Sequence, residues 1–209
     1  INNNLDEKYL MMQLEMRKSG ILDDRIYKAI SSLSRKNFLP ENLTGLANED
    51  SDLEIFDNIF ATKTTDIAKM INIALLLNSK TKNVLEIGTG SGWQTALLSK
   101  IYERVYSIEI NEKAFLFSNK NLKNVGGRIF TKLADGKYGW EESSPYDAIY
   151  IDLCCEDIPE SLIEQLNKKC GVLVFIKKHK EKQYFHSFCT NGNLGVIRTP
   201  FEVQRSNLE

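Results

Sequence analysis

The spacing of apolar residues separates the chain into two parts with different patterns. In the N-terminal part the apolar positions recur at helical intervals, which predicts helices over residues 5–18 and 23–35. Gly20 follows the first of these helices and Pro40 follows the second, as expected for residues that end helices. A polar, acidic loop at residues 48–52 then leads to a third predicted helix over residues 62–78.

Short apolar runs alternate with helical segments from Asn83 onward. The pattern predicts strands at residues 83–88, 104–110, 128–136, 146–153 and 171–178, and helices at residues 93–101, 111–125 and 159–169. This alternation is typical of a doubly wound, Rossmann-like α/β sheet that is mostly parallel. Two further runs around residues 184–190 and 195–201 have no helix between them, which predicts an antiparallel C-terminal edge. We expect one compact unit, with a helical cap at residues 1–61 and the sheet domain at residues 62–209.

The composition argues against several classes of protein. The chain has 27 Lys and Arg residues against 28 Asp and Glu residues, so it lacks the basic excess that is usual in proteins that bind nucleic acid or anionic membranes. The longest apolar runs, residues 74–77 and 170–176, are far shorter than the roughly 20 residues of a membrane-spanning helix. No apolar leader follows Ile1, and we expect a cytoplasmic protein.

The cysteines do not have the spacing of a metal site. Cys154, Cys155, Cys170 and Cys189 form no CxxC pair, and the chain has only 2 histidines. Because structural zinc ligands come in closely spaced Cys and His pairs, we expect reduced thiols and no metal.

The most informative segment is VLEIGTGSGW at residues 84–93, where a predicted strand turns into a predicted helix. Three alternating glycines allow positive φ angles and a close approach of a ligand to the backbone. A dinucleotide fingerprint would place a glycine at Trp93, and a phosphate-binding loop would need Lys followed by Ser or Thr after Gly92. The remaining pattern is three alternating glycines preceded by an acid, Glu86.

Two further acids lie at the ends of the next predicted strands. Glu109 comes seventeen residues after Gly92, and Asp135 directly precedes Gly136. In a doubly wound fold Glu109 would lie beside the glycine loop and accept both hydroxyls of a ribose, while Asp135 could bond the amine of an adenine. Three acids suit a cationic nucleoside without phosphates, such as S-adenosylmethionine. The alternative is that the glycines form only a tight turn and that the acids are solvated strand ends.

Beyond these features, the chain resembles the protein-L-isoaspartate O-methyltransferase family. The resemblance rests on three segments: KSGILDDRIYKAISSLSRKNFLPEN at residues 18–42, VLEIGTGSGWQTALLSK at residues 84–100 and ADGKYGWEESSPYDAIYI at residues 134–151. It implies S-adenosyl-L-methionine as cofactor and S-adenosyl-L-homocysteine as product. By position, the cofactor-binding residues would be Glu86, Gly88, Thr89, Gly90, Ser91, Gly92, Glu109, Ile110, Asp135 and Gly136.

The resemblance also assigns the substrate loop, which lies within residues 1–61 and is followed directly by Thr62. Thr62 falls on the serine that lies between cofactor and substrate in the family, and we expect it to be the catalytic hydroxyl; the alternative is an N-cap for the helix that follows. Asp50 meets the loop aspartate of the family, while Phe60 and Ala61 replace its threonine and isoleucine.

The chain departs from the family pattern in the same region. Phe56 and Asn58 stand where the family has loop glycines, and Asp152 replaces a small residue. Three hypotheses follow. The first is a carboxyl O-methyltransferase acting on an aspartate- or isoaspartate-derived carboxylate in a protein or peptide, for repair or for dedicated peptide tailoring. The second is a cofactor-binding relative without catalysis, and the third is a small-molecule O-methyltransferase with a metal at Asp152. The first would act as a monomer or weak homodimer, without nucleic acid or membrane.

Overall fold

The computed structural model describes residues 3–192 and 195–205, so both ends of the expected domain division, residues 1 and 209, lie outside the described residues. The N-terminal part contains helices α1 (Asn3–Lys18), α2 (Asp24–Ser31) and α3 (Thr64–Leu77). The carboxylate of Asp23 caps α2 by accepting a hydrogen bond from the backbone N–H of Arg25 at 2.9 Å.

All three helices differ from the prediction at one end or both, and α1 begins at Asn3, two residues before the predicted start. Helix α2 ends at Ser31, four residues early, and a 3₁₀ turn over Arg35–Phe38 follows, because Arg35 turns inward and is buried. Helix α3 begins at Thr64 instead of residue 62, because Lys63 has extended backbone and is the N-cap residue.

A small hairpin between the helices was not predicted. Strands β1 (Leu53–Phe56) and β2 (Ile59–Ala61) pair antiparallel, and Asn58 takes a positive φ of 60° at the turn between them. Leu53, Ile55 and Ala61 are buried together with Leu39 in a separate small apolar cluster. The loop expected at residues 48–52 therefore leads into an ordered hairpin.

The sheet domain has seven strands. They are β3 (Asn83–Ile87), β4 (Arg104–Glu109), β5 (Arg128–Leu133), β6 (Ala148–Cys154), β7 (Val172–His179), β8 (Lys182–Cys189) and β9 (Val196–Val203). Their order is β5-β4-β3-β6-β7-β8-β9; the first five are parallel and the last two are antiparallel. The predicted α/β class and its antiparallel edge are confirmed.

The helices that connect these strands are α4 (Trp93–Leu98), α5 (Glu112–Leu122) and α6 (Glu160–Glu164). Helix α6 is shorter than the predicted residues 159–169. Its extension is prevented because the Tyr146 N–H donates to the Gln165 carbonyl and the Asn167 N–H donates to the Tyr146 carbonyl. A backbone bridge to the sheet thus replaces the last turns of the helix.

Side chains alternate across the sheet and form a core on each face. On β3, Val84 belongs to the core shared with α1, α2 and α3, while Leu85 belongs to the core on the opposite face. Glu86 follows two residues after Val84, so the strand directs a carboxylate into the first of these buried layers. The four cysteines have free thiols, and in the part of the chain that the structure describes no helix is long and apolar enough to cross a membrane.

Candidate functional site

The predicted cofactor residues lie at the carboxyl ends of β3, β4 and β5. Strand β3 is flanked by β4 on one side and by β6 on the other, so the chain reverses its strand order beside β3. Ligands of open α/β sheets bind at such switch points, outside the carboxyl ends of the strands.

The glycine loop that follows β3 uses the conformational freedom of glycine. Gly88, Gly90 and Gly92 have φ angles of 92°, 54° and 85°, and Gly92 is the N-cap residue of α4. A methyl group at Gly90 would lie 3.4 Å from the backbone oxygen of Phe60. The glycine loop therefore packs against the hairpin that leads to Thr62.

Glu109 fixes this loop while keeping hydrogen-bonding capacity. The buried carboxylate accepts the N–H of Gly90 at 2.8 Å with one oxygen and the N–H of Asn111 at 2.9 Å with the other. Each carboxylate oxygen can accept a further hydrogen bond. Glu109 is thus suited to receive the two hydroxyls of a ribose.

Glu86 lies beneath the loop, with no exposed surface. One of its oxygens accepts hydrogen bonds from the hydroxyls of Thr95 at 2.5 Å and Ser107 at 2.6 Å, and its other oxygen has no hydrogen-bond partner. Burial raises the pKa of Glu86 to about 8, although both hydroxyls oppose the shift. The Ser107 hydroxyl also lies 2.6 Å from the Thr89 hydroxyl, so Glu86 supports the glycine loop from below.

Three further predicted cofactor residues lie near Glu109. Ile110 follows it in the chain, and Asp135 and Gly136 follow the neighbouring strand β5. Ile110 is 65% exposed, an apolar side chain that could cover the face of a flat base. Asp135 is half-buried and accepts the N–H of Lys137 at 2.9 Å, while a methyl group at Gly136 would collide with Ile87. Asp135 directly precedes the buried Gly136, and the contact of all three residues with an adenosine group stays a prediction.

Ser91 and Thr89 are buried within the loop. The Ser91 hydroxyl accepts the N–H of Trp93 at 3.2 Å, and its carbonyl accepts a hydrogen bond from the Asn121 side chain. Both residues therefore contribute to the shape of the loop. Their contact with a cofactor stays a prediction, as it does for Glu86.

Thr62 lies on the opposite wall, between the hairpin and α3. Its hydroxyl donates a hydrogen bond to an Asp152 oxygen at 2.6 Å. The alternative interpretation of Thr62 as the helix N-cap is wrong, because Lys63 holds that position. Burial raises the pKa of Asp152, and the neighbouring Arg205 guanidinium opposes that shift.

Arg205, which the sequence did not indicate, joins this wall to the C-terminal segment. Its guanidinium donates to carboxylate oxygens of Asp152 at 2.8 Å, Asp66 at 3.0 Å and Asp52 at 3.2 Å. Its backbone N–H and carbonyl are both bonded to the side chain of Gln183. No spacing in the sequence marks this cluster, because its members come from four separate segments.

Asp50, Phe60 and Ala61 have distinct positions in the substrate loop. Asp50 accepts the N–H of Thr65 at 3.0 Å and its hydroxyl at 2.6 Å, so it fixes the first turn of α3. Phe60 is 42% exposed, whereas Ala61 is fully buried. Of these three, only Phe60 offers its side chain to a bound molecule.

Arg35 holds both ends of the hairpin segment. Its buried guanidinium donates to the carbonyls of Glu49 at 2.8 Å, Ser51 at 2.9 Å, Ala61 at 2.7 Å and Thr62 at 3.1 Å. Burial lowers its pKa to about 10, and the charges of Asp50 and Asp52 oppose the shift. In the sequence Arg35 is marked only as part of a matching segment, whereas its contacts show that it positions Thr62.

The structure offers no ready metal centre at Asp152. Its two oxygens are engaged by Thr62 and Arg205, and among residues 3–192 and 195–205 no group of three or more His, Cys, Asp and Glu side chains could hold a metal ion.

Comparison with known proteins identifies the family. The family model described as protein-L-isoaspartate(D-aspartate) O-methyltransferase matches residues 6–203. A protein-L-isoaspartate O-methyltransferase of Helicobacter pylori strain G27 is 34% identical over 191 residues, which are 91% of this chain and 90% of the relative. The chain belongs to the protein-L-isoaspartate (D-aspartate) O-methyltransferase family. Membership confirms the suspected resemblance, the enzyme class and the methyl-donor cofactor, S-adenosylmethionine.

Solved structures agree on the fold of this family. One protein-L-isoaspartate O-methyltransferase superposes with a TM-score of 0.80 at 23% identity over 97% of this chain, which spans 65% of the solved chain. A second solved structure is that of a Plasmodium falciparum protein described as a β-aspartate methyltransferase, in complex with S-adenosyl-L-homocysteine. It superposes with a TM-score of 0.80 at 17% identity, and the match covers 96% of this chain and 98% of the other. At these identities the likeness shows a shared fold.

Proposed function

We propose that this member of the protein-L-isoaspartate O-methyltransferase family methylates an isoaspartyl or aspartate-derived carboxylate in a protein or peptide. The observation that carries the proposal is the approach of the glycine loop to the hairpin, with 3.4 Å between a methyl group built at Gly90 and the Phe60 oxygen. Thr62 follows two residues after Phe60, so the proposed donor wall and acceptor wall adjoin.

The cofactor would lie along the carboxyl ends of β3, β4 and β5. We propose that Glu109 receives the ribose and that Asp135, Ile110 and Gly136 receive the adenine, with Glu86 and residues 88–92 forming the floor. S-adenosylmethionine would supply a methyl group on a sulfonium. Residues 62–209 would then be the cofactor-binding domain, and residues 1–61 the cap and substrate loop.

The acceptor chemistry requires little from the protein. A carboxyl group has a pKa of about 4, so near neutral pH it is already a nucleophile and needs no general base. The acceptor oxygen forms a bond to the methyl carbon as the carbon–sulfur bond breaks, which gives a methyl ester and S-adenosyl-L-homocysteine. The work of the chain is to align the reacting atoms and to exclude water.

The altered substrate loop is ordered by its own contacts. The ring of Phe56 packs edge-on against Phe117 at 5.1 Å between centroids, and the Lys113 ammonium lies 4.6 Å from the Phe56 ring centre. The residue that replaces a family glycine thus docks the hairpin on α5. This packing supports an acceptor site that differs from the usual site of the family. The proposed activity therefore covers both repair of isoaspartyl residues and tailoring of a dedicated peptide.

The remaining proposed properties concern assembly and partners. We propose a monomer or weak homodimer that acts on a protein or peptide, without nucleic acid or membrane. The near balance of 27 Lys and Arg residues against 28 Asp and Glu residues supports a partner other than nucleic acid. We also propose that the enzyme acts in the cytoplasm.

The proposal is tested by transfer of labelled methyl groups to two peptides that differ only in an isoaspartyl or a normal aspartyl residue. We expect base-labile label on the isoaspartyl peptide, and about tenfold lower kcat/KM in Thr62→Ala with binding of S-adenosyl-L-homocysteine retained. Binding of S-adenosyl-L-homocysteine without label on either peptide would contradict repair-type methylation and would favour a dedicated acceptor or the non-catalytic alternative.

A further inference from the structure

A continuous line of hydrogen bonds connects the C-terminal segment to Thr62. The Arg205 Nε–H donates to one Asp152 oxygen at 2.8 Å, and the Thr62 hydroxyl donates to the other at 2.6 Å. The side chains of Arg205 and Asp152 are only 9% and 12% exposed. Water therefore has little access to these bonds.

The direction of the hydrogens along this line is fixed by chemistry. An arginine side chain can only donate, and an ionised carboxylate can only accept. The single hydrogen of the Thr62 hydroxyl is therefore directed to Asp152. What Thr62 can still offer to a neighbouring molecule is a lone pair.

The surrounding charges support an ionised Asp152. Arg205 also contacts Asp66 and Asp52, and the ammonium groups of Lys63 and Lys69 each lie 3.7 Å from Asp66. Three cations thus accompany three carboxylates in this cluster, so the negative charge of Asp152 is compensated where it is buried.

We propose that Arg205 and Asp152 are positioning residues that make Thr62 a hydrogen-bond acceptor toward the substrate, so that the enzyme selects a carboxylate with a neighbouring N–H. The inference rests on the proposed function, in which Thr62 faces the methyl acceptor. It differs from the simpler arrangement in which the Thr62 hydroxyl donates to the acceptor carboxylate.

This polarity matches the chemistry of an isoaspartyl residue. Its free carboxylate is attached to the same carbon as its backbone nitrogen, whereas the carboxylate of a normal aspartyl residue is one carbon farther from that nitrogen. A lone pair on Thr62 that receives the N–H would therefore hold the isoaspartyl carboxylate at a defined distance. The same contact would misplace a normal aspartyl carboxylate.

The test compares an isoaspartyl peptide with the same peptide methylated on the isoaspartyl nitrogen, which removes the hydrogen. We expect the wild-type enzyme to prefer the N–H peptide by about tenfold in kcat/KM, the loss of one hydrogen bond to a buried acceptor. In Asp152→Asn, the amide oxygen must face the Arg205 Nε–H, so the NH₂ group faces Thr62 and turns its hydrogen outward. This variant is expected to lose the preference.

Two matched variants separate polarity from shape and charge. Thr62→Val keeps the shape of Thr62, so a steric effect of the added methyl group would persist, whereas we expect the preference to disappear. Asp52→Asn removes a negative charge that contacts the Arg205 guanidinium but changes no side-chain contact of Thr62. We expect this variant to keep the preference for the N–H peptide. Thr62→Val also decides the question if Asp152→Asn does not fold.

The outcomes distinguish this inference from the proposed function. Turnover of both peptides by the wild-type enzyme at equal kcat/KM would overturn the inference and leave the proposed function intact. An unchanged preference in Asp152→Asn or Thr62→Val would do the same. Turnover of neither peptide by the wild-type enzyme would overturn the proposed function and the inference with it.

Discussion

The buried carboxyl group of Glu86 makes the stability of the protein depend on pH. Its pKa is raised from 4.5 to about 8, mainly by burial. Between these values the folded protein keeps a proton that the unfolded chain has lost, so stability falls as pH rises. The contribution is complete below pH 4.5 and is lost above about pH 8.

The size of the effect follows from the same two values. The wild-type protein should lose roughly 3 to 4 kcal/mol of unfolding free energy between about pH 5 and pH 8 through this group alone. Glu86→Gln cannot ionise, and its amide can still accept the hydroxyl hydrogens of Thr95 and Ser107. The free energy of unfolding of the variant, minus that of the wild type, should therefore increase by that amount over the same range.

Urea unfolding of both proteins at several pH values measures this difference, because other titrating groups contribute equally to the two chains. Exchange of an exposed carboxyl group, Glu112→Gln, provides the control and should give a difference that stays constant within about 0.5 kcal/mol. If Glu86→Gln gave an equally constant difference, the carboxyl group would already be ionised at about pH 5, and the argument from its burial would be refuted.

Three further predictions concern the walls of the site. Arg35→Lys should destabilise the protein by about 3 kcal/mol in urea unfolding and lower kcat/KM, because one ammonium group cannot bond all four carbonyl groups that Arg35 contacts. Unchanged stability and kcat/KM would contradict the positioning role of Arg35. Gly136→Ala should weaken binding of S-adenosyl-L-homocysteine by about 2 kcal/mol in calorimetry, because the new methyl group collides with Ile87. The control Gly45→Ala places its methyl group in open space and should bind with wild-type affinity. Equal affinities of the two variants would refute the role of Gly136. Methyl transfer should be unaffected by a chelator, because Thr62 and Arg205 engage both Asp152 oxygens, and abolition by the chelator would favour the metal-assisted alternative.

The features predicted from the sequence are those set by local pattern. The alternation of apolar strands and amphipathic helices identifies the sheet, and the glycines at positions 88, 90 and 92 adopt the positive φ angles that the loop requires. Glu109 is the last residue of β4 and Asp135 lies two residues after β5, so a parallel sheet brings them to one edge. These predictions need only short stretches of chain.

The features that the sequence did not reveal depend on distant contacts. The strands of the hairpin have four and three residues with an irregular register, too few for a periodic signal, and Arg35 stabilises their ends from outside. Helix α6 is cut short by backbone pairing with Tyr146. Arg205 and Asp66 are 139 positions apart, and only the folded chain places them together.

Methylation of isoaspartyl carboxylates is the activity that we propose for this chain. The most direct measurement is a competition in one tube, where isoaspartyl and aspartyl forms of one peptide react with S-adenosylmethionine and the methyl esters are quantified by mass spectrometry. The account predicts esterification of the isoaspartyl peptide in clear preference to the aspartyl peptide. Equal esterification of both peptides, or of neither, would contradict it.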